Sequence, residues 1–192
     1  MNLANRLTLS RIVLTFFMMG LLYVETFWAK MGALLIFIAA CVTDYLDGWV
    51  ARTRGQSTDF GKIIDPIADK VLVLGVFLSF VELGLVPSWM VVVIMIREFT
   101  ITGMRLFAIR RGFVLAAERA GKHKTVSQMA AILFILIFLC VREVAIKGGG
   151  WGAPHQEAFR VGIWVLMSGA LVLTVGSGLS FVWNNRSLVR NI

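Results

Sequence analysis

The stretch "DYLDGWVARTRGQSTDFGKIIDPIAD", residues 44–69, holds five aspartates, two arginines and a lysine in a chain otherwise rich in Leu, Ile, Val and Phe. Charges in apolar surroundings are costly, by several kcal/mol each, unless they are paired or bind a metal. What lies on either side of this stretch decides the fold. Apolar runs long enough to cross a bilayer, about 20 residues each, recur along the whole sequence. Six are read, at 7–28, 31–53, 63–84, 87–110, 124–146 and 158–183. The chain is 58% hydrophobic and 16% charged, with a mean hydropathy of +0.83, far from the balance of a soluble domain. The expectation is an all-α integral membrane protein with six transmembrane helices, a single domain over residues 1–192, with no repeat, low-complexity tract or cleavable signal.

Charge placement orients this bundle. Arg6, Arg11, Arg52, Arg54, Lys62, Arg110, Arg111, Arg119, Lys122, Lys124, Arg186 and Arg190 fall at ends and loops assigned to one side. The other side holds Lys30, Arg142, Lys147 and Arg160, offset by Glu25, Glu82, Glu143 and Glu157. The positive-inside rule then puts both termini, and the 44–69 stretch, at the cytoplasmic face of a cell membrane. The net charge of +8 reads as topology plus contact with anionic lipid head groups. It does not suggest nucleic acid, because the basic residues are spread over several helix ends without a DNA-binding motif.

Cys41 and Cys140 lie in apolar spans without a C-x-x-C or Cys/His neighbour and read as buried, inert thiols. His123 and His155 are isolated, and no zinc-protease spacing or Ser/His/Asp set is visible. Any catalysis would rest on carboxylates.

On a helix turning about 100° per residue, Asp44, Asp47, Gly48, Ala51 and Arg52 share an arc of roughly 140°. Leu46 and Val50 point the other way. Gly48 and Ala51 leave room for a ligand to approach the backbone. A polar turn over Gly55–Gly61 follows, and the helix is expected to resume near Lys62–Asp65, with Pro66 tolerated in its first turn. Gly61, Asp65 and Asp69 then lie on one stripe, about 40° apart per four-residue step. Two consecutive helices would thus bring two pairs of carboxylates to face each other at their cytoplasmic ends. Such a set repels itself unless something cationic sits among it. Hard divalent cations suit oxygen ligands, Mg²⁺ or Mn²⁺ first and Ca²⁺ next, and a carboxylate-held Mg²⁺ usually keeps positions open for substrate phosphates. The bland alternative is a salt-bridge cluster with Arg52, Arg54, Lys62 and Lys70 that only fixes helix ends.

These residues carry a resemblance. "D44-Y-L-D47-G48-W-V-A51-R52", eight residues, then "G61-K-I-I-D65-P-I-A-D69" is similar to the signature of the CDP-alcohol phosphatidyltransferase family, D-x-x-D-G-x-x-A-R, a spacer, then G-x-x-x-D-x-x-x-D. The six-span plan also resembles that family. The resemblance implies a metal-dependent enzyme that displaces CMP from a CDP-linked lipid with an alcohol. It implies Asp44, Asp47 and Asp65 as core ligands of a two-metal site, and Asp69 as general base that also touches the second metal. Gly48, Ala51, Arg52, Thr58 and Gly61 fall at positions that hold the CDP-lipid. The segment "N5-R-L-T8-L-S-R11" resembles the family's N-x-x-T-x-x-R, which adds Asn5 and Thr8 beside the nucleotide; its bland reading is a capped helix start. Homodimerisation is implied by the family alone.

The acceptor is read from "IREFTITGMRLFAIRRGFVLAAERAGKHKT", residues 96–125. Arg97 and Glu98 lie well inside the fourth span, where an uncompensated ion pair is unusual. Arg105, Arg110, Arg119, Lys122 and Lys124 gather at the cytoplasmic end and loop, a set suited to a phosphate monoester, against the alternative of a basic loop greeting anionic lipid. This region resembles the bacterial phosphatidylglycerophosphate synthase branch of the family. That implies CDP-diacylglycerol as donor and glycerol 3-phosphate as acceptor; inositol phosphate, serine and phosphatidylglycerol are the acceptors of sibling branches. A divalent-cation transporter is the reading from another class. The carboxylates gather at one face without a second cluster or an inverted repeat, which speaks against it.

Overall fold

A computed structural model describes residues 3–54, 59–110 and 119–186, with side chains described over 9–43, 70–108 and 123–186. It is all-helical across those residues: α1 Leu3–Tyr23, α2 Phe27–Arg54, α3 Asp59–Glu82, α4 Ser88–Arg110, α5 Arg119–Lys147 and α6 Ala153–Asn184. Each apolar run read from the sequence corresponds to one helix.

The helices close into a ring. α1 packs on α2 and α3, α2 on α5, α5 on α6, α6 on α4 and α4 on α3, while α3 also meets α5 across the middle. Met18, Leu22, Phe37, Leu72, Phe77, Phe80, Ile94, Ile132 and Leu136 fill the centre. The outside carries many large apolar side chains, and the inside several charged ones. Phe16, Trp28, Val165, Val172, Leu179 and Trp183 are exposed, whereas Arg11, Lys30, Glu98, Lys124, Gln128 and Glu143 are buried. In water that arrangement would leave large apolar patches uncovered and pay for burying the charges; with hydrocarbon outside, both features are expected. Helices α5 and α6 are each long and apolar enough to cross a bilayer.

Several boundaries differ from the sequence reading by four or five residues: α1, α2 and α6 begin earlier than expected, at Leu3, Phe27 and Ala153, and three further differences have a visible physical basis or consequence. α1 stops at Tyr23, five residues before the expected end, because the chain turns tightly there: the Thr26 amide donates to the Val24 carbonyl at 2.9 Å. The buried Lys30 ammonium then donates to the Leu22 carbonyl, one of the acceptors that the helix end leaves open. α3 begins at Asp59 rather than near Lys62, so Pro66 is its eighth residue and not part of its first turn. Proline has no N–H, so the Lys62 carbonyl lacks its helical donor, and the surrounding helix carries that loss. Finally, α5 begins at Arg119, five residues before the expected start at Lys124, so Arg119 and Lys122 are helical rather than in a loop.

At the end of the bundle away from residues 44–69, charges are locally paired. The Tyr23 hydroxyl donates to Glu82 at 2.6 Å, Arg142 pairs with Glu143 at 3.2 Å and Arg160 with Glu157 at 3.1 Å. Trp151 packs among Phe138, His155 and Phe159, with centroid separations of 5.8, 6.1 and 5.8 Å. Aromatic rings with a polar edge suit the boundary between hydrocarbon and water.

Candidate active site

The two halves of the aspartate signature fall on adjoining helix ends. Asp44, Asp47, Gly48, Ala51 and Arg52 belong to the last three turns of α2, and Gly61, Asp65 and Asp69 to the first three turns of α3. Five peptide links join Arg54 to Asp59, so those ends are separated by no more than about 18 Å. In unbroken helix, the i,i+3 spacing of Asp44 and Asp47 and the i,i+4 spacing of Asp65 and Asp69 place each pair one turn apart on one side of its helix. The side chains of residues 44–69 lie outside the described residues, as do those of Asn5, Thr8, Arg110, Arg119 and Lys122; Thr58 lies outside altogether. Among the described residues, no group of three or more His, Cys, Asp or Glu side chains gathers as a metal site.

Immediately beyond Asp69 the side chains are described, and there the structure brings together charges that the sequence scatters. Glu98 of α4 is 3% exposed and uses both carboxylate oxygens. Lys70 of α3 approaches Oε2 at 2.9 Å, while Lys124 of α5 and the Arg97 guanidinium, at 3.1 Å, share Oε1. The other end of that guanidinium donates to Ser177 Oγ of α6 at 3.0 Å. Ser177 donates in turn to the Thr174 carbonyl at 3.0 Å, and the Gln128 amide donates to the Thr174 hydroxyl at 3.0 Å. One polar network therefore ties α3, α4, α5 and α6. Lys70, Glu98, Lys124, Thr125 and Gln128 line a narrow cleft between α3, α4 and α5.

The acceptor candidates divide on inspection. Lys124 is buried, with its ammonium against Glu98. Arg105 is exposed, its guanidinium 5.8 Å from the centre of the Phe181 ring on α6, a cation–π distance. These two are thus held by different partners. Arg119 and Lys122 occupy the first turn of α5, which contains no acidic residue. Cations at a helix N-terminus oppose the macrodipole, and a phosphate there would offset both. Gln128, Thr174 and Ser177 were not singled out in the sequence; a polar residue inside an apolar span, as at Gln128, was the available signal.

Comparison with known proteins bears on the same residues. The sequence profile of the family described as CDP-alcohol phosphatidyltransferase matches residues 1–176. The chain is 38% identical over 148 residues to the CDP-diacylglycerol--glycerol-3-phosphate 3-phosphatidyltransferase of Bacillus subtilis (strain 168), covering 71% of this chain and 77% of that protein. It is 39% identical over 185 residues to a probable phosphatidylglycerophosphate synthase of Mycobacterium tuberculosis (strain CDC 1551 / Oshkosh), covering 94% of this chain and 80% of the relative. A third relative, the CDP-diacylglycerol--glycerol-3-phosphate 3-phosphatidyltransferase of Treponema pallidum (strain Nichols), is 33% identical over 153 residues, 80% of this chain and 69% of its own. With the whole aspartate signature inside the matched region, the chain belongs to the CDP-alcohol phosphatidyltransferase family.

Proposed function

We propose that this chain transfers the phosphatidyl group of CDP-diacylglycerol to glycerol 3-phosphate, releasing CMP and forming phosphatidylglycerophosphate. The observation that carries the reading is the complete aspartate signature on the adjoining ends of α2 and α3, in a chain whose relatives are named for this reaction. The protein spans the membrane six times as a single domain, with both termini and the site on the cytoplasmic side, as the charge asymmetry of its helix ends supports. It works as a homodimer, as the family resemblance implies.

A donor set made only of carboxylate oxygens fits hard divalent cations. Asp44, Asp47, Asp65 and Asp69 would hold two Mg²⁺ or Mn²⁺ ions, which supply positive charge against the donor's pyrophosphate and the departing CMP. Asn5, Thr8, Gly48, Ala51, Arg52, Thr58 and Gly61 hold the CDP-lipid, the glycines and alanine by leaving space beside the backbone and Arg52 by charge. Asp69 accepts the proton of the acceptor hydroxyl as that oxygen attacks the phosphatidyl phosphorus. A new P–O bond forms there, and the bond to the bridging oxygen breaks with its electron pair leaving on CMP. Arg105, Arg110, Arg119, Lys122 and Lys124 form the basic surroundings of the acceptor phosphate, and a first turn of α5 that carries Arg119 and Lys122 but no acidic residue supports that assignment.

The test is purified protein with CDP-diacylglycerol, Mg²⁺ or Mn²⁺ and a panel of alcohols, scored by CMP release. Glycerol 3-phosphate is expected to be the best acceptor. Preference for serine, inositol phosphate or phosphatidylglycerol would overturn the acceptor, and no CMP with any alcohol would overturn the reaction.

A further inference from the structure

We infer that Glu98 is a positioning residue for the transfer, holding the α3 turn that carries Asp69 in register with the basic start of α5. The inference rests on the reaction proposed above. Its geometric basis is the division of one carboxylate between two helices. Oε2 takes Lys70, the residue that follows Asp69 in the chain, at 2.9 Å, and Oε1 takes Lys124, the last of the basic residues of the acceptor segment. Arg97 then locks the same oxygen, at 3.1 Å, to Ser177 of α6. No other described carboxylate is shared among three helices in this way.

Adhesion alone does not account for such a cluster. A buried ion pair is often no more stabilising than apolar side chains of the same volume, and apolar packing already joins α3 to α4 and α5. What ionic pairing adds is a defined register, because each oxygen is satisfied at only one relative placement of its partners. Here the fixed elements are those that must meet in the reaction. Donor and base are on the α2–α3 side, and the acceptor phosphate is on the α4–α5 side. Glu98 touches neither substrate; it acts through Lys70 and Lys124.

The experiment compares wild type, Glu98→Asp and Glu98→Gln as full-length protein in lipid nanodiscs, measuring kcat and both KM values by CMP release, with thermal melting alongside. Glu98→Asp keeps the charge but shortens the reach by one methylene, so both lysines cannot be held at once. A misplacement of about 1 Å can cost a hundredfold in rate, so kcat/KM for glycerol 3-phosphate is expected to fall about tenfold in Glu98→Asp and about a hundredfold in Glu98→Gln. The KM for CDP-diacylglycerol is expected to stay within about twofold, because the donor side keeps its own ligands. A purely architectural role would instead lower the melting temperature and the amount of active enzyme, leaving both KM values unchanged. That result, or full activity in Glu98→Asp, overturns the inference. If Glu98→Gln does not fold, Glu98→Asp decides alone. A wild type that releases no CMP with any acceptor overturns the proposed reaction as well, which separates the two failures.

Discussion

Helix α6 carries Gly162, Gly169, Gly176 and Gly178, and the structure assigns these four glycines different roles. A Cβ on Gly162 would sit 3.0 Å from Phe134 Cζ and 3.3 Å from Cε1. That ring is backed by Phe159, with centroids 6.1 Å apart, and cannot retreat freely. A Cβ on Gly178 would sit 3.0 Å from Arg97 Cγ, on a side chain held at its far end by Glu98 and Ser177. At Gly169 and Gly176 no such atom lies within 4 Å. Alanine gains about 0.5–1 kcal/mol over glycine in a helix interior, whereas overpacking costs about 1–3 kcal/mol. Gly162→Ala should therefore lose about 1 kcal/mol net, or about 2–4 °C of melting temperature in a chain of this size. Gly169→Ala and Gly176→Ala should gain about 1–4 °C. Gly178→Ala should melt near wild type, since a flexible arginine absorbs part of the clash. By shifting Arg97 against Glu98, however, it should lower kcat/KM for glycerol 3-phosphate about tenfold. Melting of the four variants in one detergent, with CMP release on each, checks all of this. If Gly169→Ala and Gly176→Ala melt as low as Gly162→Ala, the contacts of a single chain do not describe this helix in its working assembly, and the reasoning fails.

Other expectations concern the signature and the basic segment. Asp44→Asn removes a charge at nearly constant shape, so metal affinity and activity should fall together, with partial recovery in excess Mg²⁺ or Mn²⁺; full wild-type activity in EDTA would defeat the metal assignment. Asp69→Asn should still bind CDP-diacylglycerol but turn over on the order of 10²–10⁴ times more slowly, as loss of a general base does. Donor binding lost as badly as in Asp44→Asn would make Asp69 an ordinary ligand. Arg119→Gln and Lys122→Gln should each lower kcat/KM for glycerol 3-phosphate about ten- to a hundredfold, the equivalent of one charge-assisted contact, with the KM for the donor unchanged. Equal loss with plain glycerol as acceptor would mean that these residues only order the helix start or meet lipid.

The features legible in the sequence are those whose physics is local. A helix satisfies its own backbone, so the six helices of the described residues are legible as six apolar runs wherever their partners lie. The aspartate pairs are legible for a related reason: each is an i,i+3 or i,i+4 relation within one helix, and the two helices are neighbours in the chain. Helix ends were less visible. The stop at Tyr23 depends on a tight turn closed by Lys30 from the next helix, and the early start at Asp59 places Pro66 where sequence rules disfavour it. The order of packing around the ring was not visible at all, because a helix that is apolar all round, as α5 largely is, does not declare which side is covered by protein and which by lipid. The Glu98 network falls between these cases. An ion pair at Arg97–Glu98 in the middle of an apolar run implies compensating partners, and that much follows from the energetics of charge in apolar surroundings. Which partners they are does not follow, because Lys70, Lys124 and Ser177 lie 28 and 26 residues from Glu98 and 80 from Arg97, respectively, and meet them only through the ring. The sequence thus reveals where a membrane protein has charges that require an explanation, and only the packing reveals which of those charges explain one another.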